Sequence, residues 1–135
     1  MTWVFDASIT IAWCFDDEKT PETEALFDRL AAAPATVPQI WPLEVGNVLA
    51  IATRKGRISP ARRSQFIATL AALPIVVDPV TFKYAMTSIL TLADQHPLTT
   101  YDAAYLELAM RHGIPLATLD VPLRKAAEAA GVQLL

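Results

Sequence analysis

Short apolar blocks separated by proline, glycine and acidic residues run along the whole chain, and their spacing switches repeatedly between the strand and helix periods. Residues 2–5, Thr-Trp-Val-Phe, are β-branched and aromatic and stop abruptly at Asp6-Ala7-Ser8. This predicts a strand running into a helix that Ser8 or Asp6 caps. The helix, over 9–15, is short and apolar, and the acidic run Asp16, Asp17, Glu18 that closes it reads as a solvated loop. Thr20-Pro21-Glu22 starts a helix to about residue 32, with a cap, a proline in the first turn and acids at the positive end of the dipole. A proline-bounded strand follows over 34–40, centred on Thr36 and Val37. Pro42 then opens a helix whose buried stripe is Val45, Val48, Leu49 and Ala52. Ser59-Pro60 repeats the cap-plus-proline signature and begins a helix to about residue 72, so 42–72 reads as a helical hairpin joined at Gly56. Ile75-Val76-Val77 is the next strand, and Asp78-Pro79, with Asp78 as cap, turns the chain into a long helix over 80–95. Residues 100–111 are apolar on nearly every side, the composition of a helix packed on several faces, yet the first turn holds Asp102. His112-Gly113 ends that helix, 114–118 is a short buried strand, and Asp120-Val121-Pro122 turns into a helix to residue 130. A last strand is expected over 132–134.

About five short strands alternating with helices predict an α/β fold, a parallel sheet flanked by helices, in a single domain over 1–135. At 53% apolar the chain can bury a substantial core. Its longest apolar run, 70–77, is too short to span a bilayer and contains Pro74, so no membrane association is expected. The beginning of the chain has no basic region and Asp6 interrupts its apolar stretch, unlike a signal peptide, which points to the cytoplasm. The single cysteine, Cys14, cannot form an internal disulfide and has the apolar neighbours of a core thiol.

The net charge of −3 does not advertise nucleic-acid binding, but the charges are unevenly placed. Seven of the fourteen acids precede residue 30, whereas five of the eleven bases, Arg54, Lys55, Arg57, Arg62 and Arg63, lie in a ten-residue stretch without an acid. That stretch is either a local basic patch or a solvated helix end.

Four acids occupy comparable places: Asp6 and Asp120 follow strands, and Glu44 and Asp102 stand in first turns of helices. Taken singly each has an ordinary explanation. Thr99 with Asp102 fits a capping box, Asp120 fits an N-cap, and Glu44 can reach solvent from a helix start. Together they point to one rim of the sheet, where open α/β folds carry their sites. Carboxylates so close would raise one another's pKa unless a cation neutralised them. An all-oxygen set selects Mg²⁺ or Mn²⁺ over Zn²⁺, and neither His96 nor His112 has a partner at zinc-ligand spacing. Asn47, one turn after Glu44, would help to orient what Glu44 holds. Such a site suits phosphodiester hydrolysis, without by itself separating RNA from DNA.

Val4-Phe5-Asp6-Ala7-Ser8, Glu44-x-x-Asn47, Tyr101-Asp102-Ala103-x-Tyr105-Leu106-x-Leu108-Ala109 and Leu116-Ala117-Thr118-Leu119-Asp120 resemble, in order and spacing, the PIN-domain ribonucleases, and more narrowly the VapC toxins of toxin–antitoxin pairs. The resemblance implies a PIN-like three-layer fold with a five-stranded parallel sheet and a Mg²⁺-dependent endoribonuclease, Mn²⁺ being the alternative ion. Asp6, Glu44, Asp102 and Asp120 would be its catalytic and metal-holding residues, supported by Ser8, Asn47 and Thr118. It further implies a homodimer and a VapB-like antitoxin whose C-terminal segment covers the site. Ala7 departs from the family pattern, in which a threonine often follows the first acid. On this reading Arg54, Lys55, Arg57, Arg62 and Arg63 hold RNA by its phosphates or contact the antitoxin. Trp13 and Trp41 either stack on bases or pack in the core. A haloacid-dehalogenase-type phosphatase needs a second acid where Ser8 stands. The rival from another class is a non-catalytic PIN-like RNA- or protein-binding module, in which the acids are caps and dimer contacts. Metal affinity separates the two.

Overall fold

The structure, a computed structural model, describes residues 2–135. Four strands, β1 (Trp3–Phe5), β2 (Ala35–Val37), β3 (Ile75–Val77) and β4 (Leu116–Ala117), form one parallel sheet in the order β3-β2-β1-β4. The chain therefore builds outward from β1 to β3 and then crosses back to place β4 on the other side of β1. This makes the gap between β1 and β4 the topological switch point, the place where open parallel sheets leave a crevice at the strand ends.

The helices are α1 (Ala7–Cys14), α2 (Pro21–Arg29), α3 (Trp41–Arg54), α4 (Pro60–Ala72), α5 (Leu90–Gln95), α6 (Thr100–His112) and α7 (Val121–Ala129). Most start as the residue types dictate: Thr20 forms a reciprocal capping box with Thr23, and the hydroxyls of Ser59 and Thr99 each accept an N–H of the first turn. Helix α6 packs against β1, β4, α5 and α7, and α1 against α2 and α3. From Ala103 to Ala109 every residue of α6 is buried, the apolar ones as its composition requires and Glu107 through its pairing with Arg111. Trp3, Phe5, Trp13 and Trp41 meet at the centre, with Phe5 at 4.9 Å from Trp13 and 5.9 Å from Trp41 between ring centroids. The indoles of Trp13 and Trp41 donate to Thr23 O and Thr10 Oγ1, so both rings are core and neither is free to stack on a base. Cys14 is buried, as expected of a core thiol.

Two expectations are corrected. The fifth strand, 132–134, reduces to one bridge between Leu116 and Leu134, because β4 is itself only two residues long and offers almost no ladder to extend. The helix expected over 80–95 is broken into a tight turn at Thr81–Tyr84, a wide turn at Ala85–Ile89 and the short α5. There the side chain of Gln39 accepts the Phe82 N–H, while Thr81 Oγ1 donates to Asp78 Oδ2 and accepts the Gln39 N–H, so the first turn is tied to the β2–α3 loop, and the backbone leaves the helical conformation at Met86 (φ −101°, ψ 15°). Strand β3 falls at 75–77 as expected and lies at the sheet edge with Val76 and Val77 exposed. Among the described residues no helix is long and apolar enough to cross a membrane.

A candidate metal centre at the sheet switch point

Asp6 leaves β1 and caps α1, its Oδ1 accepting from the Ile9 N–H at 3.3 Å and from Ser8 Oγ at 2.5 Å. Its Oδ2 accepts from Thr118 Oγ1 at 2.5 Å, across the switch point. Two further bonds close this lattice: Thr118 Oγ1 accepts the Asp120 N–H and Ser8 Oγ accepts the Leu119 N–H, each at 3.0 Å. The ends of β1 and β4 are thus stitched together by hydroxyls whose donors all converge on one carboxylate. Burial raises the pKa of Asp6, which is only 4% exposed, the charge of Asp102 adds to that, and the three hydrogen bonds oppose it.

The other acids approach from the helices. Glu44, in the first turn of α3, accepts at Oε1 from the Tyr105 hydroxyl at 2.6 Å. Its pKa is raised by burial, lowered by that phenol, and raised again by the charges of Asp102 and Asp6. Asp102, in the first turn of α6, is raised by burial and then by Asp120. Asp120 caps α7, with Oδ2 accepting the Leu123 N–H at 3.0 Å. The four acids therefore act on one another as a connected group: Asp102 feels Asp120, and Glu44 and Asp6 feel Asp102. No basic side chain relieves the raised carboxyls of Asp6, Glu44 and Asp102. Among the described residues, however, no three Asp, Glu, His or Cys side chains are grouped tightly enough to hold an ion as they stand. By its donor chemistry alone, an all-oxygen set of this charge fits a hard divalent ion.

The PIN domain family profile matches residues 3–129. The chain belongs to the PIN domain family. No curated protein matches its sequence. Among solved structures, PAE2754 from Pyrobaculum aerophilum is similar with a TM-score of 0.71 at 24% identity, covering 99% of this chain and 83% of that one. VapBC2 from Rickettsia felis, bound to a DNA fragment from its promoter, gives 0.70 at 14% identity, with 100% and 98% covered. A toxin-antitoxin complex from Klebsiella pneumoniae gives 0.56 at 19% identity, with 87% and 86% covered.

In this PIN domain, Ser8 and Thr118 both bond Asp6 directly, whereas Asn47 is exposed and bonds none of the four acids. A cleft of about 430 Å³ opens beside Ser8 and Asp120, walled by Ile11, Val48 and Leu119 and rimmed by Glu18. A larger concavity of about 750 Å³ lies by Tyr84, Glu107 and Arg111 and contains none of the four acids. At that place Arg111 pairs with Asp78 at 2.7 Å and Glu107 at 2.8 Å, so its charges are already matched. Of the four acids only Asp120 lines the smaller cleft, beside the Ser8 that bonds Asp6.

The basic stretch is not a uniform patch. Arg57 lies 3.7 Å over the Phe15 ring and pairs with Asp17 at 3.1 Å and Glu18 at 2.6 Å, so the acidic run is a docked turn and not a free loop. Arg62 donates to Cys14 O and Arg63 to Thr53 Oγ1. Arg54 and Lys55 make no such bond among the described residues. Two residues outside the expected set also serve this site. Tyr105 holds Glu44, and Arg124 donates to Thr118 O at 2.9 Å, bracing the turn that carries Asp120. In the sequence Tyr105 stands within the Tyr101–Ala109 motif, three residues after Asp102, but nothing local links its hydroxyl to Glu44.

Proposed function

We propose that the chain is a Mg²⁺-dependent endoribonuclease, with Mn²⁺ as an alternative ion, that acts as the toxin of a toxin–antitoxin pair. The observation that carries this reading is the group of four mutually repelling acids at the switch point, with no base to neutralise Asp6, Glu44 or Asp102. Asp6, Glu44, Asp102 and Asp120 would hold the ion. When bound, it supplies Lewis-acid polarisation of the scissile phosphodiester. Ser8 and Thr118 hold the Asp6 carboxylate in one orientation and Tyr105 does the same for Glu44, which would orient these two as ligands. Arg54 and Lys55 are the cations best placed in the basic stretch to take backbone phosphates, with Arg57, Arg62 and Arg63 joining once their present partners release them.

The toxin role is supported by the fold shared with a toxin-antitoxin complex at nearly full length. It brings a VapB-like antitoxin as partner, RNA as substrate and a cytoplasmic site of action. A homodimer is supported by the exposed apolar side chains of Phe82, Met86 and Leu90, which leave an uncovered strip beside α5. The second reading, a non-catalytic PIN-like RNA- or protein-binding module, is favoured by one observation, the lack of three acids grouped at ligand distance among the described residues.

The deciding experiment is cleavage of an end-labelled RNA pool with Mg²⁺ or Mn²⁺, with chelator, and with Asp6→Asn, beside a single-stranded DNA pool. Discrete RNA fragments lost with chelator and in the variant are the expected result. Folded protein that neither cleaves nor binds a divalent ion sinks the enzyme and leaves the binding module.

A further inference from the structure

Tyr105 is fully buried, and its hydroxyl donates to Glu44 Oε1 at 2.6 Å. It lies three residues after Asp102, so both stand on one face of α6. One helix thus carries a candidate ligand and, a turn later, the donor that grips a candidate ligand on another helix. Glu44 Oε2 has no protein partner among the described residues. We propose that Tyr105 is a positioning residue that commits Glu44 to bind a cation through one oxygen, and that it thereby selects Mg²⁺ over Ca²⁺. This rests on the metal reading above.

The selectivity follows from the ions' coordination habits. Mg²⁺ is small, keeps several waters and takes near-octahedral geometry, whereas Ca²⁺ is larger and readily accepts both oxygens of a carboxylate. A phenol seated on Oε1 keeps that oxygen engaged and stops the carboxylate from turning to present both. Removing the hydroxyl frees Oε1 and the rotation, which weakens the arrangement Mg²⁺ needs while offering Ca²⁺ a chelating pair.

The test is calorimetric titration of the full chain with MgCl₂ and separately with CaCl₂, for the native protein and for Tyr105→Phe, with near-ultraviolet circular dichroism to verify folding. The expected result is that Mg²⁺ affinity drops about tenfold, the scale of losing a residue that orients a metal ligand. Ca²⁺ affinity should hold or rise, inverting the preference. Equal losses for both ions, or no change in either, overturn the proposal while leaving the metal reading intact. A native chain that binds neither ion overturns both. Should Tyr105→Phe fail to fold, the native tyrosine absorption reports the same contact. Mg²⁺ should leave the band in place and Ca²⁺ should shift it as Oε1 is drawn away from the phenol, and an identical response to the two ions overturns the proposal.

Discussion

Asp6 caps a helix and stands in a group of like charges at the same time, and the two roles pull its energetics in opposite directions. Hydrogen bonds from Ser8, Thr118 and Ile9 favour its ionised form, yet burial outweighs them and raises its pKa, as it does for Glu44 and Asp102. A carboxyl whose pKa is higher folded than unfolded costs stability when ionised, so the metal-free protein should gain stability as pH falls from neutrality through those raised values. The gain is complete near the ordinary carboxyl value of 3.8. Asp78 works the other way. Burial raises it, but the bonds from Arg111 and Thr81 outweigh this and leave it lowered, so its contribution is present above 3.8 and lost as pH falls through its lowered value. Thermal melts in chelator should therefore show maximal stability on the mildly acidic side of neutrality. In the same buffer at neutral pH, Asp102→Asn should raise Tm by about 3 °C, the scale of removing one repulsive charge from a domain of this size. Mg²⁺ should raise the native Tm and leave that variant nearly unmoved. At this scale the strand-end acids and Thr118 were legible, because turn chemistry marks where strands stop. The contact of Tyr105 with Glu44 was not, since the two are 61 residues apart, and helical spacing alone does not say that Asn47 takes an exposed position.

Among the elements, α6 is the one whose loss would dissolve the site, and its two ends are secured differently. Thr99 caps the start, while Gly113 closes the end in the left-handed conformation at φ 62°. Gly113→Ala should cost about 1 kcal/mol in urea unfolding, the penalty for a Cβ in that conformation. Beside it Arg111 bridges two nearly buried acids, Asp78 and Glu107, whose side chains are 4% and 6% exposed. Arg111→Met should therefore cost about 3–5 kcal/mol, because it leaves two buried carboxylates unmatched. Equilibrium unfolding checks both values, and an Arg111→Met loss below that of Gly113→Ala would mean the pair is solvated. Helix starts were readable because caps and prolines act within one turn. The break after Asp78 was not, because no residue type marks the non-helical backbone at Met86 (φ −101°, ψ 15°), and the edge position of β3 depends on a strand order that no local pattern encodes.

For the whole molecule, the uneven charge seen along the chain resolves into pairing. The acidic turn Asp16–Glu18 folds back on Arg57, leaving Arg54 and Lys55 as the cations of that stretch without a protein partner among the described residues. Replacing both by alanine should weaken RNA binding and make the plot of log affinity against log salt shallower by about 1.4, close to the contribution of two phosphate contacts on a single strand. Filter binding at several salt concentrations checks this, and an unchanged slope would remove them from the RNA path. The parallel α/β architecture was legible as a whole, but the meeting of Asp6 with Thr118 spans 112 residues and appears only once the sheet closes. That separation has a consequence in time. A chain still emerging from the ribosome acquires Asp6 and Glu44 well before β4, so it then has neither the hydroxyl that seats Asp6 nor the strand that closes the crevice. The seat of the Asp6 carboxylate is therefore the last part of this crevice to form, after every residue of β1, α1 and α3 is already in place.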